Sequence, residues 1–326
     1  MSNSPVQIPG KHVVWFCNTL NFHGDYGAFD DVYYRDELFN PVFDSLKKNF
    51  QSDIEGVDMI SFFACHPTKI RAEQFWDFNF YEGANPDRDS LKAPALRPAE
   101  TMVTARKNFK RLMQFLKDQQ NIKVCTIAEL MERFSYQPDY LNRKDLVRIA
   151  ETIRSSGQVV YDDVYSPAEV FVALAQSLQE YDQSGKMPGK IKRESPLGPM
   201  GMPPETPGIS IVSMEEVFEL TAASMAVIRN QGHLPSKLIM GGEPIGTGSL
   251  IHLFSCVYLD LAGKEQHDTY ELIPFDPYPK EYEETIISEV ESYKYWIVHR
   301  PDLDMLHLAD MTRMQLWTLK PAHEKR

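Results

Sequence analysis

The sequence predicts an α/β fold whose first 138 residues build a sheet with covering helices, followed by a mainly α-helical repeat region. Three observations predict it. Strand-like apolar runs alternate with runs of helical spacing up to about residue 134; strand-like runs become rare after Pro138; and a stretch of the second half repeats itself at a constant offset.

In chain order, His12–Cys17 is a β-branched and aromatic run that reads as a strand. Pro41–Phe50 carries Val42, Phe43, Leu46 and Phe50 at helical spacing, and Val57–Cys65 reads as a second strand, giving a β-α-β unit. A long amphipathic helix over Ala99–Gln119 follows, with Met102, Ala105, Phe109, Leu112, Phe115 and Leu116 on one face. The run Ile122–Thr126 reads as a strand, and Thr126 with Glu129 forms a capping box that opens a helix over Ile127–Phe134. Residues 12–134 therefore resemble the β-α-β-α-β-α end of an α/β barrel or of a doubly wound sheet.

The second half contains the repeat. Ser166-Pro-Ala-Glu169-Val170-Phe171 aligns with Ser213-Met-Glu-Glu216-Val217-Phe218, and the same offset, 166 to 213, or 47 residues, brings Gly185 onto Gly232, Pro188 onto Pro235 and Lys190 onto Lys237. Each copy reads as a Ser-capped helix of about four turns, stopped by a glycine suited to the left-handed region and left through an extended segment before proline. Ile153–Gly157 echoes Ile228–Gly232. Between the copies, Gly198–Gly208 is rich in proline and glycine and reads as a stiff, exposed linker. The expected boundaries are a partial barrel over 1–138, a first repeat over 139–200, a linker over 201–208, a second repeat over 209–265 and a helical extension over 266–326.

Composition removes some function classes. With 326 residues, 43% hydrophobic and 25% charged, the chain has enough apolar surface for two or three globular pieces. A net charge of −12 argues against a nucleic-acid partner, which selects a basic face. No apolar run reaches membrane-span length and the N-terminus lacks a signal-peptide pattern, so the chain as given is expected to be soluble and cytoplasmic; a place in the cell envelope follows if it belongs to a longer protein. Cys17, Cys65, Cys125 and Cys256 form no C-x-x-C pair and are read as having no histidine at ligand spacing: three buried strand thiols and one helix thiol.

His66 is the leading candidate for chemistry. It stands at the C-terminal end of an apolar run, where parallel sheets present catalytic groups, and imidazole titrates near neutral pH. The alternative is a satisfied histidine packed at a strand end. Pro67 stops the strand, and the long polar and aromatic excursion beyond it offers ring faces at Trp76, Phe78, Phe80 and Tyr81 and hydrogen-bonding groups at Asp77, Asn79, Asn85 and Arg97, the mixture on which sugars bind. Anchoring of the loop is the competing role for Trp76 and Phe80. Asp30-Asp31, with His23 and Asp25, is better read as solvated loop charge than as a metal site, Asp25 and Asp30 being the better ligands of the set. His299 and His307 around Pro301–Asp304 read as a surface turn, and Gly241–Gly248 reads as a turn because it lacks the spacing of a phosphate or dinucleotide loop.

A family resemblance rests on these residues. Gly56–Leu130, with Met59–His66 as its histidine-ended strand and Arg97–Leu130 as its closing helix, strand and helix, resembles the last part of the polysaccharide deacetylase barrel of carbohydrate esterase family four. The insert F-W-D-x-N-F-x-x-G-A-N-P, the copies at 140–262 and the Trp317-Thr-Leu-Lys-Pro-Ala322 end resemble a subgroup in which that barrel precedes helical repeats similar to pseudomurein-binding repeats. The resemblance implies the C-terminal part of a distorted (β/α) barrel, a hydrolase acting on N-acetylated glycans, and His66 as the acid that protonates the leaving amine. It implies substrate contacts at Trp76, Asp77, Asn79, Phe80, Asn85 and Arg97. The family's H-x-x-x-H pair occurs nowhere in the chain, so no metal ligands are assigned; a divalent metal such as zinc is expected only where the missing half of the barrel is supplied. A second chain or a second copy would supply that half and cover the bare apolar edge of strand 12–17. The other reading is a non-catalytic module that binds a polysaccharide or cell-wall glycan through its helical repeats.

Overall fold

The computed structural model describes residues 6–8, 13–15, 32–51, 66–134 and 138–322. It is a mixed α/β protein in which helices dominate and β-structure is confined to small antiparallel sheets; among the described residues no barrel is formed. The chain divides into two units. The first holds the described residues between Phe16 and Leu130 together with Lys294–Leu303; the second holds the described residues of Pro5–Trp15, Met131–Tyr293 and Asp304 onward.

In the first unit, α1 (Asp36–Gln51) and α3 (Ala99–Asp118) pack on either side of an apolar cluster of Tyr33, Phe39, Phe43, Leu46, Ala105, Leu112 and Leu116. The heptad-like spacing of Phe39, Phe43 and Leu46 puts them on one face of α1, and Phe43 meets Phe39 at 5.1 Å and Phe115 edge-on at 5.6 Å. The helix starts five residues before Pro41. Fully buried Phe39 lies in that first stretch, and Asp36 is held there by Lys107 Nζ at 2.7 Å and by buried Asn108 Nδ2 at 2.9 Å. The Ile122–Thr126 strand is corrected: these residues have no strand partner among the described residues, and Val124 is exposed. Cys125 is likewise exposed rather than a buried strand thiol. The capping box behind it does form, Thr126 N–H donating to Glu129 at 2.7 Å at the start of α4 (Ile127–Arg133). The Val57–Cys65 run lies outside the described residues, as do Cys17 and Cys65.

The second unit is built on α5 (Arg143–Ser156), α6 (Pro167–Ser184), α7 (Met214–Gln231) and α8 (Thr247–Gly263), whose apolar faces share one core. Short strands flank the helices: β3 (Tyr140–Asn142) pairs with β4 (Lys190–Lys192), β5 (Ile211–Ser213) with β8 (Thr269–Glu271), and β6 (Lys237–Met240) with β7 (Glu243–Gly246), all antiparallel. The second residue of each strand at the first two pairings, Leu141 opposite Ile191 and Val212 opposite Tyr270, is buried between more exposed neighbours, the period-two pattern of a half-buried strand. Gly241 and Gly242, both at positive φ, make the β6–β7 hairpin turn.

The aligned segments have matching local structure. Ser166 and Ser213 each close a capping box, with Glu169 and Glu216 respectively; each helix ends at a left-handed glycine, Gly185 at φ 68° and Gly232 at φ 73°; and Lys190 and Lys237 each open the following strand. The linker between them is corrected from exposed to partly buried. Gly198 and Pro199 are buried, and a Cβ on Gly198 would stand 1.9 Å from the Met314 carbonyl, so only glycine admits that approach.

The C-terminal segment is an internal part of this unit. Trp317 is fully buried, its Nε1 donating to the Pro277 carbonyl at 2.9 Å, and the Leu316 carbonyl accepts from Tyr161 at 2.8 Å. Beyond α9 (Glu283–Ser292) and α10 (Leu306–Gln315), β9 (Lys320–Pro321) joins a three-stranded antiparallel sheet in the order β2 (Val13–Trp15), β1 (Val6–Ile8), β9. The expectation of a bare strand at 12–17 is thereby corrected on one side, since β1 covers an edge of β2 within the same chain.

Candidate functional site

His66 opens α2 (Pro67–Arg71) as its N-cap residue, its carbonyl accepting from Lys69 N–H at 2.8 Å while Pro67 occupies the first helical position. The imidazole makes no capping hydrogen bond; it is exposed and lies edge-on to Phe75 with ring centres 4.9 Å apart. Five residues of helix then hand the chain to the excursion singled out by the sequence.

That excursion is clamped at its neck. Ala72 bridges Leu96, Glu73 N–H donates to the Ala95 carbonyl at 2.8 Å, Arg97 N–H donates to the Arg71 carbonyl at 2.9 Å, and the Arg71 guanidinium returns a bond to the Arg97 carbonyl. Within it run three single-turn 3-10 helices, Trp76–Asn79, Tyr81–Gly83 and Arg88–Ser90. Asn79 fixes the interior, its Nδ2 donating to the Lys92 carbonyl at 3.1 Å and its Oδ1 accepting from Lys92 N–H at 2.9 Å. A loop tied by its own backbone in this way keeps its shape without a regular element.

The predicted substrate residues divide accordingly. Asp77 is buried, Phe80 is half-buried and Asn79 is engaged with the loop backbone, so these three shape the loop. Asn85 is exposed on the excursion. Arg97 sits at the neck, its guanidinium 3.8 Å above the Tyr34 ring, with a buried Nε that has no hydrogen-bond partner. Trp76 lies in the first of the 3-10 turns. Asp25, Asp30, Asp31 and His23 fall outside the described residues.

The structure adds a neighbour that sequence reading missed. Glu82 N–H donates to the Ile297 carbonyl at 2.8 Å, which seats the Lys294–Leu303 segment against the excursion. A Cβ on Gly83, at φ 76°, would meet the Arg300 stem at 2.2 Å, so the glycine lets that stem lie flat on the loop. Tyr81, Tyr295 and Trp296 are then exposed at 46%, 82% and 43%, and Trp296 is edge-on to His299 at 5.5 Å. Arg300 forks onto Asp302 at 3.0 and 2.8 Å, and Asp304 caps Leu306 N–H at 2.9 Å, so the 299–304 turn spends its carboxylates on its own geometry. Its distance in sequence from residue 81 is what hid the pairing.

Among the described residues the His, Cys, Asp and Glu side chains that come within ligand reach as a group of three are Asp260, Glu265 and His267, in the second unit. The described residues at His66 therefore do not fit a metal. One reading of the cysteines is also corrected: His252 lies one helical turn before Cys256 on α8, with Nε2 3.7 Å from the sulfur. Burial pushes the Cys256 thiol up to about 11 and lowers His252, so both are neutral at physiological pH. An open groove of about 560 Å³ between α1 and α3, lined by Phe43, Phe115, Lys107, Lys110, Arg111 and Gln114, includes neither His66 nor any residue of the excursion.

No protein-family model matches the chain, and no curated protein or solved structure is significantly similar to it.

Proposed function

We propose that the chain is the C-terminal portion of a polysaccharide deacetylase-like hydrolase acting on N-acetylated glycans, with His66 as general acid and the 75–97 excursion as substrate wall. The supporting observation is the presentation of His66: an exposed imidazole at the first turn of α2, just before a loop clamped at its neck. A general acid must reach solvent and substrate, and its surroundings must hold shape when the sugar arrives. The fold reading that accompanies this function, the end of a distorted (β/α) barrel completed by a second copy or a second chain, is part of the proposal, and no step is routed through a metal. Acetate release from N-acetylated chitooligosaccharides by the chain with added zinc, lost on His66→Ala with the circular dichroism spectrum unchanged, is the expected result. Equal release by His66→Ala would remove His66 from the reaction.

A second reading has its own observation. The exposed rings of Tyr81, Tyr295 and Trp296 beside the Arg300–Asp302 pair have the chemistry of a sugar platform, flat apolar faces next to charged hydrogen-bonding groups. If the chain binds the same oligosaccharides without releasing acetate, and Tyr81→Ala or Trp296→Ala weakens binding, the non-catalytic glycan-binding module is the correct description.

A further inference from the structure

The neck of the excursion holds two arginines side by side. The bridge of Ala72 to Leu96 sets Arg71 opposite Arg97, Arg97 N–H donates to the Arg71 carbonyl at 2.9 Å, and the Arg71 guanidinium reaches the Arg97 carbonyl. Like charges directly opposed across antiparallel backbone repel, so the pairing costs stability unless a counter-charge offsets it. Among the described residues no carboxylate comes within ion-pair distance of either guanidinium, and Glu73 and Glu100, acids close to them in sequence, are exposed.

Arg97 is held rigidly in this position. Its guanidinium lies 3.8 Å above the Tyr34 ring, which Arg35 also meets at 5.4 Å. Its Nε is buried without a partner, whereas its terminal nitrogens, also without a hydrogen bond among the described residues, are reachable from solvent. A guanidinium partly stripped of water and lacking a counter-charge is a costly arrangement that an anion relieves, and the lost water strengthens the attraction. Helix α3 begins two residues after Arg97. Its N-cap, Pro98, offers no side-chain acceptor, so the positive end of the helix adds to the field at the neck, and Glu100 in its first turn offsets part of that field.

We propose that Arg97, with Arg71 beside it, seats the carboxylate or phosphate group of an anionic ligand, two of whose oxygens accept from the terminal nitrogens of Arg97. The planar fork of a guanidinium matches two oxygens carried on one centre, and stacking on Tyr34 fixes the plane of that fork before the anion arrives. The chain carries a net charge of −12, which repels anions at long range, so their capture depends on this local seat. That the anion is carried by a glycan rests on the reading of the 75–97 excursion as substrate wall; the seat itself, built from Arg71, Arg97 and the start of α3, does not.

The test is calorimetric titration of the full chain with sodium phosphate, and separately with sodium glucuronate, at constant ionic strength. Saturable binding of one anion per chain is expected, and the tighter of the two identifies the group as phosphate or carboxylate. Arg97→Gln should weaken binding by more than about tenfold and Arg71→Gln by about threefold, and Arg97→Lys, which keeps the charge and loses the fork, should be as weak as Arg97→Gln. Arg106→Gln, which removes an exposed charge farther along α3, should change affinity by less than about twofold. Circular dichroism checks that each variant is folded. Binding of neither anion by the wild-type chain, or equal effects of Arg97→Gln and Arg106→Gln, overturns the seat. Acetate release by a chain that binds neither anion removes the seat and leaves the reading of His66 standing; saturable anion binding without acetate release does the reverse.

Discussion

Helices α6 and α7 begin with the same Ser-x-x-Glu box and end on the same left-handed glycine, yet their glutamates live in different surroundings. Glu216 is partly exposed, and its hydrogen bonds are to Ser213, at 2.7 Å from the backbone N–H and 2.9 Å from the hydroxyl. Glu169 is fully buried. Besides Ser166 N–H at 2.9 Å it accepts from Arg193 at 2.9 Å, Ser195 at 2.7 Å and Lys320 at 3.0 Å, and Lys320 is itself fully buried. Burial pulls the Lys320 ammonium down while Glu169 pulls it up. One local device thus does two jobs: it starts a helix in both copies, and in the first it also receives the C-terminal segment.

The largest test of that difference removes Lys320. Lys320→Met should lower stability by about 3–5 kcal/mol, because a buried carboxylate loses its fully buried cation and keeps only the partly exposed Arg193. Urea unfolding would read it, and Glu169→Gln combined with Lys320→Met should recover much of the loss, since the pair is then neutral. Glu216→Gln should leave the unfolding midpoint near wild type, as the amide oxygen still accepts from Ser213; a loss matching that of Lys320→Met would erase the contrast.

Next in size are the features the copies share. Ser166→Ala and Ser213→Ala should each cost about 1 kcal/mol and cost it equally, because each removes one N-cap acceptor. Gly185→Ala and Gly232→Ala should also match, at about 1–2 kcal/mol each, for a Cβ at either site meets nothing within 4 Å and only the left-handed backbone resists it. Unequal values within either pair would show that tertiary packing has altered the local device.

The smallest effect is a titration. Hydrogen bonds from the Ser213 backbone and hydroxyl hold the Glu216 carboxyl below its ordinary value of 4.5, so its contribution to stability is fully present above that value and fades as pH falls through the lower folded value. Glu129, held down by Thr126 in the same way, should behave alike. Carbon-13 titration of the two side chains should give midpoints below 4.5; midpoints at or above it would contradict the cap geometry.

Much of this local order was legible in the sequence, because caps, left-handed glycines and apolar spacing act over a few residues. The α3 helix, the Thr126–Glu129 box and the paired ends of α6 and α7 are of that kind. Ile122–Thr126 misled because a β-branched run states a preference that only a partner strand can realise. The burial of Glu169 against Lys320, 151 residues later, leaves no local trace. At the candidate sites, His66 and its loop stood out through composition, whereas the Ile297 contact with Glu82 and the pairing of Arg71 with Arg97 depend on long-range folding.

The Glu169–Lys320 pair also sets a timetable. At roughly 5–20 residues per second of synthesis, the 151 residues of separation take about eight to thirty seconds to make. Through that interval α6 can form its capping box but has no ammonium to bury with its glutamate. The second unit therefore closes its Glu169–Lys320 pair only after residue 320 leaves the ribosome, and a nascent chain stalled before that point should remain a client of chaperones.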